Sequence, residues 1–178
     1  MKSDVLIAGF GGQGVLLAGK LLAWAGMLGG KHVTWFPSYG AEMRGGTANC
    51  TVIISDEEIG SPVVDSPGAL IAMNEASAVK FSDKVGRGGF IILNSSLVKT
   101  VVKRPGRKVL NVAANEIAEE IGNPRVVNMV LLGAYLKVSG AASIGHVMKA
   151  LEESLPPRNR HLLTANISAL EKGFSQVG

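Results

Sequence analysis

Short apolar runs rich in β-branched residues alternate along the chain with longer segments in which apolar residues recur at helical spacing. The short runs predict strands and the longer segments predict helices. The predicted strands are DVLIA (4–8), KHVTWF (31–36), TANCTVIIS (47–55), ALIAMN (69–74), GRGGFIILN (86–94, entered from a glycine turn) and KVLNVA (108–113). The predicted helices are VLLAGKLLAWAGML (15–28), EASAVKFSDKV (75–85), NEIAEEIG (115–122), RVVNMVLLGAYLKVSG (125–140), SIGHVMKALEESL (143–155) and NRHLLTANISALEKGF (159–174). This alternation predicts an α/β fold: one Rossmann-like domain over residues 1–178, with a mainly parallel sheet and helices on both faces.

Turn-forming residues mark the boundaries between these elements. The segment PSYGAEMRGG (37–46) is predicted as a loop after the second strand. Asn115 is the predicted N-cap of the third helix, and Gly122 is its predicted stop. The basic segment KTVVKRPGRK (99–108) is predicted as a hairpin tip, because a Pro-Gly turn lies between charged flanks.

The composition is apolar for a domain of this size, with 47% hydrophobic and 18% charged residues. No apolar run reaches the length of a membrane span, and the chain enters its first strand without a targeting segment, so we expect a cytoplasmic protein. The apolar surplus favours partner chains that cover part of the surface. We expect the isolated chain to self-associate through the first helix and NMVLLGAYL (128–136).

Candidate catalytic chemistry is sparse. The single cysteine, Cys50, excludes an internal disulfide and a cysteine-ligated cluster, and its place in an apolar strand predicts an inert, buried thiol. The histidines His32, His146 and His161 lie at no metal-ligand spacing. We therefore predict no catalytic residue and no metal site. The basic segment 99–108 has no interleaved aromatic residues, which argues against nucleic acid and leaves open a site for an acidic protein or a phosphate.

The sequence GFGGQG (9–14) matches the G-x-G-x-x-G dinucleotide fingerprint and lies between a predicted strand and a predicted helix, as that motif requires. The acidic residue that would hold the ribose, expected about 20 residues further on, is missing. No acidic residue lies between Asp4 and Glu42. Two interpretations follow: a dinucleotide site, or a glycine turn that serves only close packing of a strand against a helix.

The loop 37–46 places Tyr39, Glu42, Arg44, Gly45 and Gly46 directly after a strand, where open α/β sheets hold their ligands. Backbone N–H groups of the two glycines and the neighbouring guanidinium suit an anion. Alternatively, the acid and the base pair with each other and hold the loop in place.

Four segments together carry a resemblance to a known family. They are GFGGQGV, PSYGAEMRGGTAN, TVIISDEEIGSPVV and NMVLLGAYL, in that order along nearly the whole chain. The sequence resembles the gamma subunit of 2-oxoacid:ferredoxin oxidoreductases. This resemblance implies a complex that oxidatively decarboxylates a 2-oxoacid with coenzyme A to give an acyl-CoA, carbon dioxide and reduced ferredoxin. The sequence leaves 2-oxoglutarate, branched-chain 2-oxoacids and pyruvate open as substrates, and we place 2-oxoglutarate first.

The resemblance also implies where the cofactors and partners belong. No cofactor is bound by this chain alone; coenzyme A lies at or near its loops in the complex. Thiamine diphosphate, Mg and iron–sulfur clusters belong to partner subunits, namely alpha, beta and a ferredoxin-like delta chain, and ferredoxin accepts the electrons.

The implied binding residues are those of the glycine turn and the loop after the second strand. They are Gly11, Gly12, Gln13, Gly14, Tyr39, Glu42, Arg44, Gly45 and Gly46. Two other classes of function stay open: a free-standing nucleotide-binding domain of an NAD- or FAD-dependent dehydrogenase, and a purely structural interaction protein.

Overall fold

A computed structural model of the chain describes residues 1–39 and 46–177. The strands are β1 (Lys2–Phe10), β2 (His32–Tyr39), β3 (Thr47–Ser55), β4 (Ala69–Ala72), β5 (Phe90–Asn94) and β6 (Lys108–Val112). The α-helices are α1 (Val15–Leu28), α2 (Glu75–Phe81), α3 (Ala114–Glu120), α4 (Val127–Ser139), α5 (Ile144–Ser154) and α6 (Leu163–Ser175), with short 3₁₀ helices at Ser82–Lys84, Pro124–Val126 and Pro157–Leu162. The predicted alternation of strands and helices is confirmed.

All the described strands belong to one sheet, in the order β2-β3-β1-β4-β5-β6. Strand β3 pairs antiparallel with both of its neighbours, and the remaining pairs are parallel, so the prediction of a mainly parallel sheet is confirmed. Strand β2 runs on to Tyr39 instead of ending at Phe36. It is an edge strand, where Pro37 can face solvent without losing a hydrogen bond of the ladder.

One face of the sheet, here called the helical face, is covered by α1, α3, α4, α5 and α6. The cluster beneath these helices is the larger of two cores and includes Val5, Ile7 and Val52 from the central strands. Residues 128–136, which we expected to present apolar surface, are all buried there. The premise for self-association through this segment is therefore wrong, because α6 covers α4.

Helices α4 and α6 approach each other closely at two glycines. A Cβ on Gly133 would lie 2.1 Å from the carbonyl oxygen of Leu170, and one on Gly173 would lie 1.9 Å from that of Val130. These distances leave room only for hydrogen at both positions, so the backbones themselves form the contact.

The opposite face, here called the open face, is covered by α2, the 3₁₀ turn after it and the segment 95–107. The core on this side is smaller; it packs Leu70 and Ile91 of the sheet against Phe81, Val98 and Val102. Helices on both faces are thus confirmed, although five of the described α-helices cover the helical face and one covers the open face.

Two local predictions were wrong. The basic segment 99–108 is not a hairpin tip, because β5 and β6 are parallel and the segment crosses between them. Helix α3 begins at Ala114, so Asn115 lies inside the helix and not at its N-cap. Its Oδ1 accepts a hydrogen bond from Nδ2 of buried Asn94 at 2.8 Å, and this tertiary contact takes the place of the cap. Gly122, with φ of 80°, follows the helix end as predicted.

Candidate functional site: the glycine turn and its flanks

The glycine turn connects β1 to α1, so the predicted order of strand, turn and helix is confirmed. Gly14 has φ of 77° and opens α1 without a side-chain cap. Asn128 at the start of α4 donates from Nδ2 to the carbonyl oxygen of Gly14 at 3.2 Å. Since a Cβ at position 14 would lie 2.3 Å from that nitrogen, both the backbone angle and the Asn128 contact require glycine.

Gln13 holds the turn from the inside. Its Oε1 accepts hydrogen bonds from the backbone N–H of Phe10 at 2.7 Å and from Nδ2 of Asn74 at 2.8 Å. Asn74 lies two residues after the end of β4, and its own Oδ1 accepts from the backbone N–H of Ser77, which caps α2. The Gln13 amide therefore joins the carboxyl ends of β1 and β4.

This position has a special meaning in α/β sheets. After β1 the chain passes to the helical face, and after β4 it passes to the open face, so the two strand ends flank the topological switch point. Ligands of open α/β sheets bind in the crevice at such a point. Here the Gln13 amide, hydrogen-bonded to Asn74, occupies that crevice.

The neighbour of β1 on its other side also departs from a dinucleotide site. Antiparallel β3 lies between β1 and β2, and the backbone N–H of Gly11 donates to the carbonyl oxygen of Gly46 at 2.9 Å. In a dinucleotide-binding sheet a second parallel strand lies beside β1, and the acidic residue at its end holds the ribose. The order of strands removes that position, and with it the structural basis for an NAD fingerprint.

Two hollows lie outside the turn, one on each flank. The first has a volume of about 430 Å³ and is lined by Gly11, Gly12, the start of α1 and Gly46 to Ala48. The second, also about 430 Å³, lies between α1, α4 and the segment that leads into α6. It brings Gly12 and Gly14 together with Lys20 and Arg125.

The second hollow has the chemistry of an anion site. Lys20 and Arg125 provide two positive charges, and the residues Asn123, Asn159 and Asn166 line the same space, together with an apolar wall that includes Trp24 and Leu155. The first N–H groups of α1 have no carbonyl partner within the helix, and no side chain caps them. Cations and a helix N-terminus favour a phosphate-bearing ligand over a neutral one.

The predicted site residues divide into three groups. Gly11, Gly12 and Gly14 line the two hollows, whereas the Gln13 side chain turns inward. The backbone of Tyr39 pairs with Ala48, so β2 ends at the same edge of the sheet as the turn, next to Gly46. Glu42, Arg44 and Gly45, together with their hypothetical ion pair, lie outside the described residues.

Three residues around the turn were missed from the sequence: Asn74, Arg125 and Asn128. Each had a local signal. Asn74 is a polar residue at the end of the buried run ALIAMN, and the other two follow Asn123-Pro124 at the start of an apolar helix. An amide at the end of a buried strand has to find a partner, and this rule could have identified Asn74.

Cys50 is buried beside the start of α1, where its Sγ donates to the carbonyl oxygen of Val15 at 3.6 Å. Burial raises the pKa of its thiol to about 12, and the predicted burial of this cysteine is confirmed. Residues 1–39 and 46–177 contain no group of three His, Cys, Asp or Glu side chains that could hold a metal ion. In the same residues, every helix is too short or too polar to cross a membrane.

A glycine turn at the switch point, fixed by side-chain amides and flanked by a basic hollow, defines a Rossmann-like α/β domain that departs from the dinucleotide-binding type. The sequence matches the family described as pyruvate ferredoxin/flavodoxin oxidoreductase over residues 4–176, and the chain belongs to that family.

Curated relatives come from several enzymes of this group. The chain is 45% identical over 132 residues to ketoisovalerate oxidoreductase subunit VorA of Methanothermobacter thermautotrophicus, covering 74% of this chain but only 27% of that protein. It is 36% identical over 180 residues to 2-oxoglutarate synthase subunit KorC of Methanothermobacter marburgensis, covering 97% of this chain and 95% of the relative. The chain thus spans about a quarter of the first relative and nearly all of the second.

Solved structures share the fold. The gamma subunit of a keto/oxoacid ferredoxin oxidoreductase from Geobacter sulfurreducens is 29% identical with a TM-score of 0.84, covering 98% of this chain and 97% of that one. The 2-oxoglutarate:ferredoxin oxidoreductase from Magnetococcus marinus, solved with 2-oxoglutarate, coenzyme A and succinyl-CoA, is 24% identical with a TM-score of 0.88, covering 98% of this chain and 30% of that chain. The resemblance to gamma subunits is confirmed.

Proposed function

We propose that this chain is the gamma subunit of a thiamine-diphosphate-dependent 2-oxoacid:ferredoxin oxidoreductase and forms the coenzyme A side of its active site. The observation that carries the proposal is the fixed glycine turn beside the hollow that holds Lys20 and Arg125. Coenzyme A carries several phosphate charges, which that hollow is suited to bind. The Magnetococcus marinus enzyme, which shares the fold, was solved with coenzyme A bound.

The chain's own part is binding and orientation. Arg125 provides a planar guanidinium for two phosphate oxygens, and Lys20 provides a second charge one turn into α1. Gly12 is exposed, and nothing lies within 4 Å of where its Cβ would be, so a ligand can approach the backbone closely at this position. Thiamine diphosphate, held with Mg by partner subunits, supplies the decarboxylation chemistry.

The substrate that we place first is 2-oxoglutarate. The match to the subunit KorC of 2-oxoglutarate synthase covers 97% of this chain and 95% of that subunit, whereas the match to the ketoisovalerate subunit covers only 27% of that protein. We propose partners of the alpha, beta and delta types, ferredoxin as acceptor, and no oxidoreductase activity of the isolated chain.

The test is a kinetic analysis of the complex assembled with Arg125→Ala or Arg44→Ala. Loss of a charge-assisted hydrogen bond costs about 1.5–3 kcal/mol, so we expect the KM for coenzyme A to rise about 10- to 150-fold while subunit stoichiometry is unchanged. Lys149→Ala, an exposed cation on α5 outside both hollows, is the matched control and should leave this KM unchanged.

Three outcomes would count against parts of the proposal. An unchanged KM in a fully assembled Arg125→Ala complex would remove the second hollow from the coenzyme A site. Poor assembly of both Arg44→Ala and Glu42→Ala would make that loop an interface element. Clear thermal stabilisation of the isolated chain by NAD or FAD would favour the dehydrogenase alternative.

A further inference from the structure

The positive charge of the chain is concentrated in one segment. Residues 80–108 contain eight Lys or Arg and one acidic residue, a net charge of +7, whereas the rest of the chain has a net charge of −3. We name the seven of these cations that precede β6 the basic patch. They are Lys80, Lys84, Arg87, Lys99, Lys103, Arg104 and Arg107.

The fold gathers most of this segment on the open face; Lys108 is the exception, because its neighbour Val109 packs into the open-face core and side chains alternate along a strand. Nε of Arg104 lies 2.6 Å from Oδ1 of Asp83, and Nε of Arg107 donates to the carbonyl oxygen of Val85 at 2.6 Å. The backbone N–H of Gly88 donates to the carbonyl oxygen of Gly106 at 2.6 Å. These contacts tie the crossover between β5 and β6 to the turn after α2, so that the cations of both parts of the segment form one surface.

The acidic groups beside the patch are already engaged. Glu75 accepts hydrogen bonds from the hydroxyl and backbone N–H of Thr100 and from the backbone N–H of Lys99, and these bonds lower its pKa. Asp83 pairs with Arg104. Within residues 1–39 and 46–177, Arg104 is the one member of the basic patch in an ion pair. The positive potential of the basic patch is therefore largely uncompensated.

The side chains between these cations indicate the kind of partner. Val79 and Val101 are 58% and 74% exposed, whereas the aromatic ring of Phe81 is buried beneath Lys80 and Lys84. Binding of single-stranded nucleic acid needs exposed rings for stacking. Cations with small aliphatic neighbours suit an acidic protein surface instead.

The abundance of lysine in the basic patch also indicates whether the complex with such a partner is stable or transient. Cores of stable subunit interfaces are depleted in lysine, whereas transient encounters between redox proteins are small, polar and steered by charge. We therefore propose that the basic patch docks the acidic electron carrier of the ferredoxin class that accepts electrons from the complex. This inference rests on the proposed function; the chain provides docking and steering and takes no part in the electron transfer itself.

The experiment uses the assembled complex with the triple variant Lys84→Glu, Arg87→Glu and Lys103→Glu. These side chains are exposed at least in part, and we chose them because the ties within the open face involve Arg104 and Arg107. Loss of electrostatic steering should raise the KM for an acidic ferredoxin by about tenfold or more at low ionic strength and flatten its salt dependence. Reduction of methyl viologen, a small cationic dye, and the KM for coenzyme A should be unchanged.

A matched control carries the same change in charge on another surface. Lys149→Glu, Arg158→Glu and Arg160→Glu alter exposed cations on α5 and the 3₁₀ turn after it. This control should retain the wild-type KM for ferredoxin. Thermal melting of both triple variants verifies that they are folded, and titration calorimetry with oxidised ferredoxin measures docking without turnover.

The possible outcomes distinguish failure of the docking proposal from failure of the proposed function. Equal ferredoxin KM and affinity in the two triple variants would overturn the docking proposal. So would patch-dependent binding to phosphatidylserine vesicles or to single-stranded DNA with unchanged ferredoxin kinetics. If the wild-type complex shows no 2-oxoacid-dependent viologen reduction, the proposed function fails, and calorimetry still reports on docking.

Discussion

The two faces of the sheet are built by different means. On the helical face, α4 and α6 touch backbone to backbone, and residues 128–136 are completely buried. On the open face, Phe36 of β2 is 50% exposed, and the most prominent side chains are cations. Burial of apolar area is the main source of folding free energy, whereas exposed charges contribute little. The difference indicates that the helical face stabilises the chain and the open face is available for recognition.

The largest effect is expected from Gly173→Ala on the helical face. The new Cβ would lie 1.9 Å from the carbonyl oxygen of Val130, a backbone atom that cannot move without separating α4 from α6. Overpacking of this kind costs about 3 kcal/mol of unfolding free energy. Urea denaturation of the variant and the wild type measures the loss.

Gly145→Ala in α5 is the control for this prediction. Its Cβ would contact only Oγ of Ser143 at 3.5 Å, so the substitution should be neutral or stabilise the chain by about 0.5–1 kcal/mol. If both variants lose the same free energy, the close approach of α4 and α6 is not what stabilises this face.

An intermediate effect is expected at Asn74, where the two faces meet. Asn74→Ala removes both the cap of α2 and the donor to Gln13, which together should cost about 2 kcal/mol. Asn74→Ser keeps a capping oxygen but is too short to reach Gln13, so it should cost about 1 kcal/mol. Equal losses in the two variants would show that the cap contributes nothing and that the tie to the glycine turn carries the whole effect.

Local sequence patterns predict the elements of this fold but not the contacts between them. Strands, helices and the mainly parallel sheet follow from hydrophobic periodicity, and the glycine turn follows from its motif. The insertion of β3 between β1 and β2 and the tie from Gln13 to Asn74 could not be predicted, because they depend on which strands become neighbours. Asn115 was assigned to a cap for the same reason: its partner, Asn94, is 21 residues away.

Segment 99–108 shows how a local pattern can mislead. A Pro-Gly turn with charged flanks is typical of a hairpin, but the direction of β6 is decided by its parallel pairing with β5. The charges were visible in the sequence; their meeting with Lys80, Lys84 and Arg87 on one surface was not. The sequence therefore predicts the basic segment but neither its geometry nor its partner.

The smallest effect is expected from Asp83→Asn on the open face. Asp83 is 75% exposed, and although its carboxylate lies 2.6 Å from Nε of Arg104, that N–H forms no aligned hydrogen bond. An exposed ion pair of this kind contributes about 0.2–1 kcal/mol. We expect a shift near the lower end, measured by urea denaturation and cancelled in high salt. A double-mutant cycle with Arg104→Gln isolates the pair. A coupling well above about 1 kcal/mol would contradict the division of roles between the two faces, because the charges of the open face would then stabilise the fold as the helical face does.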